Sequence, residues 1–151
     1  MIRFVLSFVA ALTFMGQLAF AQLAVAPLTI RSDDAEHKFT VEMADTPDAI
    51  REGLMFRENL APDAGMLFDF GEVRPASMWM KNTLISLDIL FMDSEGQVVA
   101  IARNAVPGSL RSLGPGVAVR AVLEIPGGRA KELGIEPGDT VEHPLFGNAR
   151  G

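Results

Sequence analysis

Leu87-Asp88-Ile89-Leu90-Phe91-Met92-Asp93-Ser94-Glu95-Gly96-Gln97-Val98-Val99-Ala100-Ile101-Ala102 is the stretch on which the fold turns. From Leu87 to Asp93 the chain is nearly continuous in apolar residues and too short for a buried helix, which predicts a strand covered on both faces. Asp93-Ser94-Glu95-Gly96 reads as a hairpin turn, with Gly96 free to take positive φ. Gln97 to Ala102 is the returning strand. A central hairpin of this kind places the chain among β-sheet proteins.

Working outward, Leu28 to Arg31 and Phe39 to Ala44 read as strands joined by the polar turn Ser32-Asp33-Asp34-Ala35-Glu36. In the second, Phe39, Val41 and Met43 alternate with Thr40, Glu42 and Ala44, the period of a half-buried strand. Thr46-Pro47-Asp48 opens a short helix over about 47–54, with Thr46 as cap, Pro47 at the first position and Asp48 at the positive end of the dipole. Met66, Phe68 and Phe70 share one strand face, and Ser77 to Thr83 is expected to be a further strand. Residues 104–116 are expected to form a long loop rich in Pro and Gly, and loops that long in compact domains are more often functional than average. Val117 to Ile125 is a strand, 129–133 a helical turn, and Thr140 to His143 the last strand. The expected fold is all-β, a β-sandwich or barrel of jelly-roll-like form. The strand–helix–strand alternation of a parallel sheet is absent from this reading.

The 151 residues also carry an address. Arg3, the apolar run Phe4 to Phe14 and Ala19-Phe20-Ala21 read as a signal peptide, residues 1–21, cleaved after Ala21. The expected organisation is then a lead and first strand over 22–37, with Leu23 to Pro27 mobile, a single β-rich domain over 38–143, and a tail over 144–151. Localisation is expected to be periplasmic or secreted, with no stable membrane insertion after cleavage. The chain has no cysteine, which removes disulfides, thiol nucleophiles, thiolate zinc sites and a lipid anchor together.

Charge is uneven. Residues 33–72 hold eleven acids against Lys38, Arg51 and Arg57, while Glu124 is the one acid against five bases in residues 102–131. An acidic chain without a dense basic run points away from nucleic acid. His37 and His143 lie far apart and no zinc-protease, nucleophile-elbow or phosphate-loop pattern occurs. No metal and no cofactor is expected, and the protein is expected to be a monomer.

The unusual segment is Met78-Trp79-Met80-Lys81-Asn82-Thr83, which contains the one Trp of the chain. Strand alternation would put Trp79 and Lys81 on one face and Met78, Met80 and Asn82 on the other. Met and Trp together suit an adaptable ligand surface, and equally a core. Lys81, Asn82, Asp88 and Glu124 are polar groups inside apolar runs. Lys81 could pair with Asp88 or Glu124 at a sheet surface, or all could line a cleft floor.

Gly53-Leu54-Met55-Phe56-Arg57, Gly65-Met66-Leu67-Phe68, the Met78–Thr83 string, Leu87–Phe91, Val122-Leu123-Glu124 and Gly134-Ile135-Glu136-Pro137-Gly138-Asp139 occur in series. The series resembles the domain-of-unknown-function family numbered 192, over about residues 38–143. Ser86 stands where that family usually has Pro. The resemblance implies a compact β-barrel or jelly-roll-like sandwich and no particular activity. It makes Met55, Arg57, Trp79, Lys81, Asn82, Asp88 and Glu124 candidates for a shared site or a shared core.

Three functional readings follow. The first is a periplasmic binding or accessory module with a Met/Trp-lined polar cleft, in which Met55, Trp79 and Met80 form the walls, Arg57, Lys81 and Asn82 serve as donors to an anionic or hydroxylated ligand (a small molecule or envelope component), and the loop at 104–116 forms the rim. The second is a hydrolase of envelope polymers using Asp88 and Glu124 as a catalytic carboxylate pair. The third is a structural or interaction protein. The absence of a recognised catalytic constellation favours the first and leans away from an enzyme.

Overall fold

The computed structural model describes residues 22–150, so the signal-peptide reading lies outside the described residues. In chain order the elements are β1 (Val25–Arg31), β2 (Glu36–Ala44), α1 (Pro47–Glu52), β3 (Ala64–Pro75), β4 (Leu87–Met92), β5 (Val98–Ala105), β6 (Ala118–Pro126), α2 (Arg129–Leu133) and β7 (Thr140–Glu142), followed by a 3-10 turn at Pro144–Phe146. The strands form one sheet in the order β5-β4-β6-β3-β2-β1-β7. This is a mostly-β architecture bearing short helices.

The sheet curls into a half-barrel. Its two edge strands approach at one corner, where Gln97 bridges Thr140 just before β5 and at the start of β7. The Val98 amide donates to the Asp139 carbonyl and the Val141 amide to the Gly96 carbonyl, both at 2.8 Å. Gly96 has φ 85°, and a Cβ there would collide with the Val141 carbonyl, so the hairpin glycine serves the corner as well as the turn.

All six residues of β4 are buried, which is why its sequence shows no alternation. Leu90 and Met92 join Leu28, Ile30, Val41, Leu67 and Leu123 in one core. Ile89 and Phe91 face the other way, into a second core with Met66, Phe68 and Val122. One sheet between two apolar cores sets the geometry of everything polar within it.

Four local readings are corrected. Ser77–Thr83 is not a strand: it is a loop with one bridge, Met78 to Leu113, and Asn82 in the left-handed region at φ 52°. Alternating burial arose because the segment crosses over the second core, dropping Met80 into it while Trp79 stays outside. A strand–helix–strand unit is present, since β2 and β3 pair in parallel across α1. The connection from Asp45 to Asp63 is long enough for that crossover although its helix has only six residues. At the N-terminus, β1 already pairs with β2 at Val25, so Val25 to Pro27 belong to the sheet rather than to a mobile lead. The long loop starts later than its composition suggested, because Asn104 and Ala105 still belong to β5.

Candidate functional site

Three segments meet over the second core, fixed mainly by backbone hydrogen bonds. Met78 and Leu113 exchange two bonds of 2.8 Å, the Met80 amide donates to the Ser109 carbonyl at 2.9 Å, and the Gly108 amide donates to the Thr83 carbonyl at 3.0 Å. The third segment follows α1: the Phe56 amide donates to the Asn82 carbonyl at 2.8 Å. Asn82 tolerates its positive φ as few other residues do, and its amide Nδ2 lies 3.9 Å from the Met55 sulfur. The long loop therefore anchors the Met-Trp-Met segment.

Between these segments is a slot of about 30 Å³, lined by Met55, Met78, Trp79, Thr83 and Glu124 among others. It is room for about one water-sized group. Glu124 comes from the middle of β6, opposite Met66 on one side and Ile89 on the other, and is 4% exposed. Burial takes most of the water from its carboxyl, no donor among the described residues compensates, and its pKa is pushed up to about 8. A wider groove of about 240 Å³ continues from the slot, sharing Ile50, Arg51, Met78 and Trp79 and extending to Phe70 and Arg74. The Arg74 guanidinium stacks over the Phe70 ring at 4.3 Å.

The candidate residues separate accordingly. Met55, Trp79 and Glu124 converge on the slot. Trp79 is 46% exposed and carries the Lys81 ammonium over its ring at 5.0 Å, so Lys81 is at the surface and not paired with Asp88 or Glu124. Met80 is a core residue with no exposure and does not line the slot. Arg57 is held by Glu42 through two bonds of 2.9 and 3.0 Å, which occupies the fork expected to serve a ligand.

Asp88 has a different task. Its two carboxylate oxygens each accept one backbone amide at 2.8 Å, from Asn104 in β5 and from Ala130 at the start of α2. Asn104 sits at φ 49° where the β4–β5 register shifts. Asp88 lies across from Ile125, whereas Glu124 lies across from Ile89, so the two carboxyls point to opposite faces of the sheet. They do not form the pair that a two-carboxylate hydrolase needs. Among the described residues, no group of three or more His, Asp or Glu is placed to hold a metal ion. Thr83 and Arg74 are not singled out as site residues by the sequence, because Thr83 only closes the Met78–Thr83 string and Arg74 sits in an exposed, irregular part of β3.

With the fold and slot in place, residues 28–143 match the DUF192 family, described as an uncharacterized ACR. The chain belongs to this family. DUF192 is thereby a family in which this curled sheet carries a domain of unknown biochemical role. A crystal structure from Sinorhizobium meliloti 1021, of a protein provisionally described as a transcription regulator, is similar at 43% identity and TM-score 0.81, covering 82% of this chain and 97% of that one. A protein of unknown function from Novosphingobium aromaticivorans DSM 12444 is similar at 41% identity and TM-score 0.80, covering 83% of this chain and 89% of that one. No curated protein matches the chain. Among the described residues no helix is long and apolar enough to cross a membrane.

Proposed function

We propose that this DUF192 chain is an exported binding module whose ligand enters the slot beside Trp79 and reaches Glu124. The observation that carries the reading is a buried carboxyl without a donor among the described residues, lining the same slot as a half-exposed tryptophan. Such a group costs stability that packing alone does not repay, and a ligand that hydrogen-bonds it recovers the loss. Met55 and Met78 supply adaptable apolar walls, as the sequence suggested for Met55. The ordered loop over 106–117 holds the Trp79 segment in place rather than contacting the ligand itself. Export rests on the leader-like character of residues 1–21.

The test uses Trp79, the single tryptophan, as its own reporter. The mature chain is screened against small molecules by thermal shift, and each compound that raises the Tm is followed by fluorescence. A true ligand changes Trp79 emission and loses at least tenfold in affinity in Glu124→Gln. If every stabilising compound leaves Trp79 emission unchanged, the slot is not the binding site.

A further inference from the structure

We propose that the slot and its adjoining groove take a short, extended peptide with free ends, its terminal ammonium on Glu124 and its carboxylate on Arg74. The inference rests on the binding-module reading and names the ligand class. The slot admits about one water-sized group, so only the tip of a ligand enters it, and the body lies in the wider groove. A cation is the natural tip. Glu124 presents an unpaired carboxyl there, and Trp79 already holds an alkylammonium, that of Lys81, over its ring at 5.0 Å. A second ammonium entering below would be held by the carboxyl and by the indole together.

The far end of the groove has the opposite character. Arg74 lines it, stacked on Phe70 with its guanidinium facing no carboxylate among the ion pairs of the described residues. Arg74 pairs across the sheet with Val119, which stands five residues from Glu124 along β6, a separation of about 17 Å. An extended tripeptide spans about 10 Å, and the long Arg74 and Glu124 side chains cover the remainder. Between the two charged ends Ile50, Met78 and Trp79 give an apolar wall for side chains of any type, and Arg51, which lines the same stretch, is already paired with Asp48, so the ends and the length, rather than the sequence, would set the selectivity. A single amino acid is too short to engage both charges.

The experiment titrates the mature chain with trialanine, N-acetyl-trialanine, trialanine amide and glycine, following Trp79 emission. Trialanine is expected to shift the emission, acetylation to weaken binding at least tenfold, amidation to weaken it several-fold, and glycine to give no response. Arg74→Gln should then bind trialanine and its amide equally, and Glu124→Gln should no longer distinguish free from acetylated peptide. Because the modified peptides probe the unaltered protein, the inference stays testable even where a variant fails to fold. A silent trialanine titration, or equal binding of free and acetylated peptide, overturns it. If another class of compound still moves Trp79 emission in a Glu124-dependent way, only the ligand class fails and the binding-module reading stands.

Discussion

Asp88 and Glu124 occupy neighbouring strands one register step apart and face opposite ways, Asp88 toward the core that includes Ile125 and Glu124 toward the core that includes Ile89. Two carboxyls that look equivalent in sequence thereby meet opposite fates. The first is satisfied by two amides, and the second is buried with its pKa pushed up to about 8 by loss of water.

For Asp88 the consequence is structural. Asp88→Ala removes the acceptor of the buried Ala130 amide and of the part-buried Asn104 amide, the first costing about 1–3 kcal/mol and the second toward the low end of that range. The expected loss is about 3 kcal/mol or more in urea unfolding, with the β5 bulge and the start of α2 losing hydrogen-exchange protection first. Asp88→Asn keeps one acceptor and should lose roughly half as much. Trp79 emission should change little in the Asn variant, because Asp88 faces the other core. A destabilisation under about 0.5 kcal/mol for the Ala variant would contradict the assignment.

Glu124 has the reverse signature, visible as a pH dependence. Its folded pKa is raised from 4.5 to about 8, so the folded state holds its proton more tightly than the unfolded chain does. This carboxyl's contribution is therefore most favourable below pH 4.5 and falls as pH rises, levelling off above about 8. Between pH 4.5 and 7 the loss from this group is about 3 kcal/mol. Glu124→Gln removes that slope, so the variant should gain on the wild type steadily from pH 5 to pH 8. Parallel stability curves for the two proteins across this range would show that the carboxyl is not desolvated.

Much of this was legible in sequence, for identifiable reasons. β4 is readable because a strand buried on both faces has no alternation to misread, and α1 because the Thr46 hydroxyl caps it by accepting a hydrogen bond from the Ala49 amide. Ser77–Thr83 resembles a strand in sequence because a loop lying over a core also alternates, with Met80 in and Trp79 out. The parallel pairing of β2 and β3 was hidden by the brevity of α1. In the site, residue types pointed to Met55 and Trp79, but separating Asp88 from Glu124 required strand register, and Arg57 was claimed by a partner fifteen positions away. Chemistry-bearing residues can be nominated from type and setting. Whether they are already satisfied depends on contacts that cross the sheet.

Arg57 gives a third expectation. Its fork on Glu42 is partly exposed, so Arg57→Lys, which keeps the charge and loses the two-pronged geometry, should cost only about 0.5–1 kcal/mol. Ligand titrations followed through Trp79 should be unaffected within twofold. A large loss of binding with unchanged stability would return Arg57 to the role of a ligand donor.

Gly65 ties the sheet to the slot. It lies in β3 beside Glu124, and a Cβ added there would stand 2.5 Å from the Glu124 carbonyl oxygen and 3.2 Å from Ile125 Cγ2. The first of these atoms is backbone and cannot swing aside, so Gly65→Ala must push β6 away from β3. The overpacking should cost about 1–3 kcal/mol, and the displaced segment is the one that carries Glu124. Trp79 emission is therefore expected to shift in Gly65→Ala even without ligand, although residue 65 is not among those lining the slot. Gly71→Ala supplies the contrast, since nothing lies within 4 Å of its Cβ and its penalty is confined to a φ of 75°. That variant should lose about 1 kcal/mol and leave the emission unchanged. If the two variants shift Trp79 equally, β6 is not the route by which the sheet positions the carboxyl.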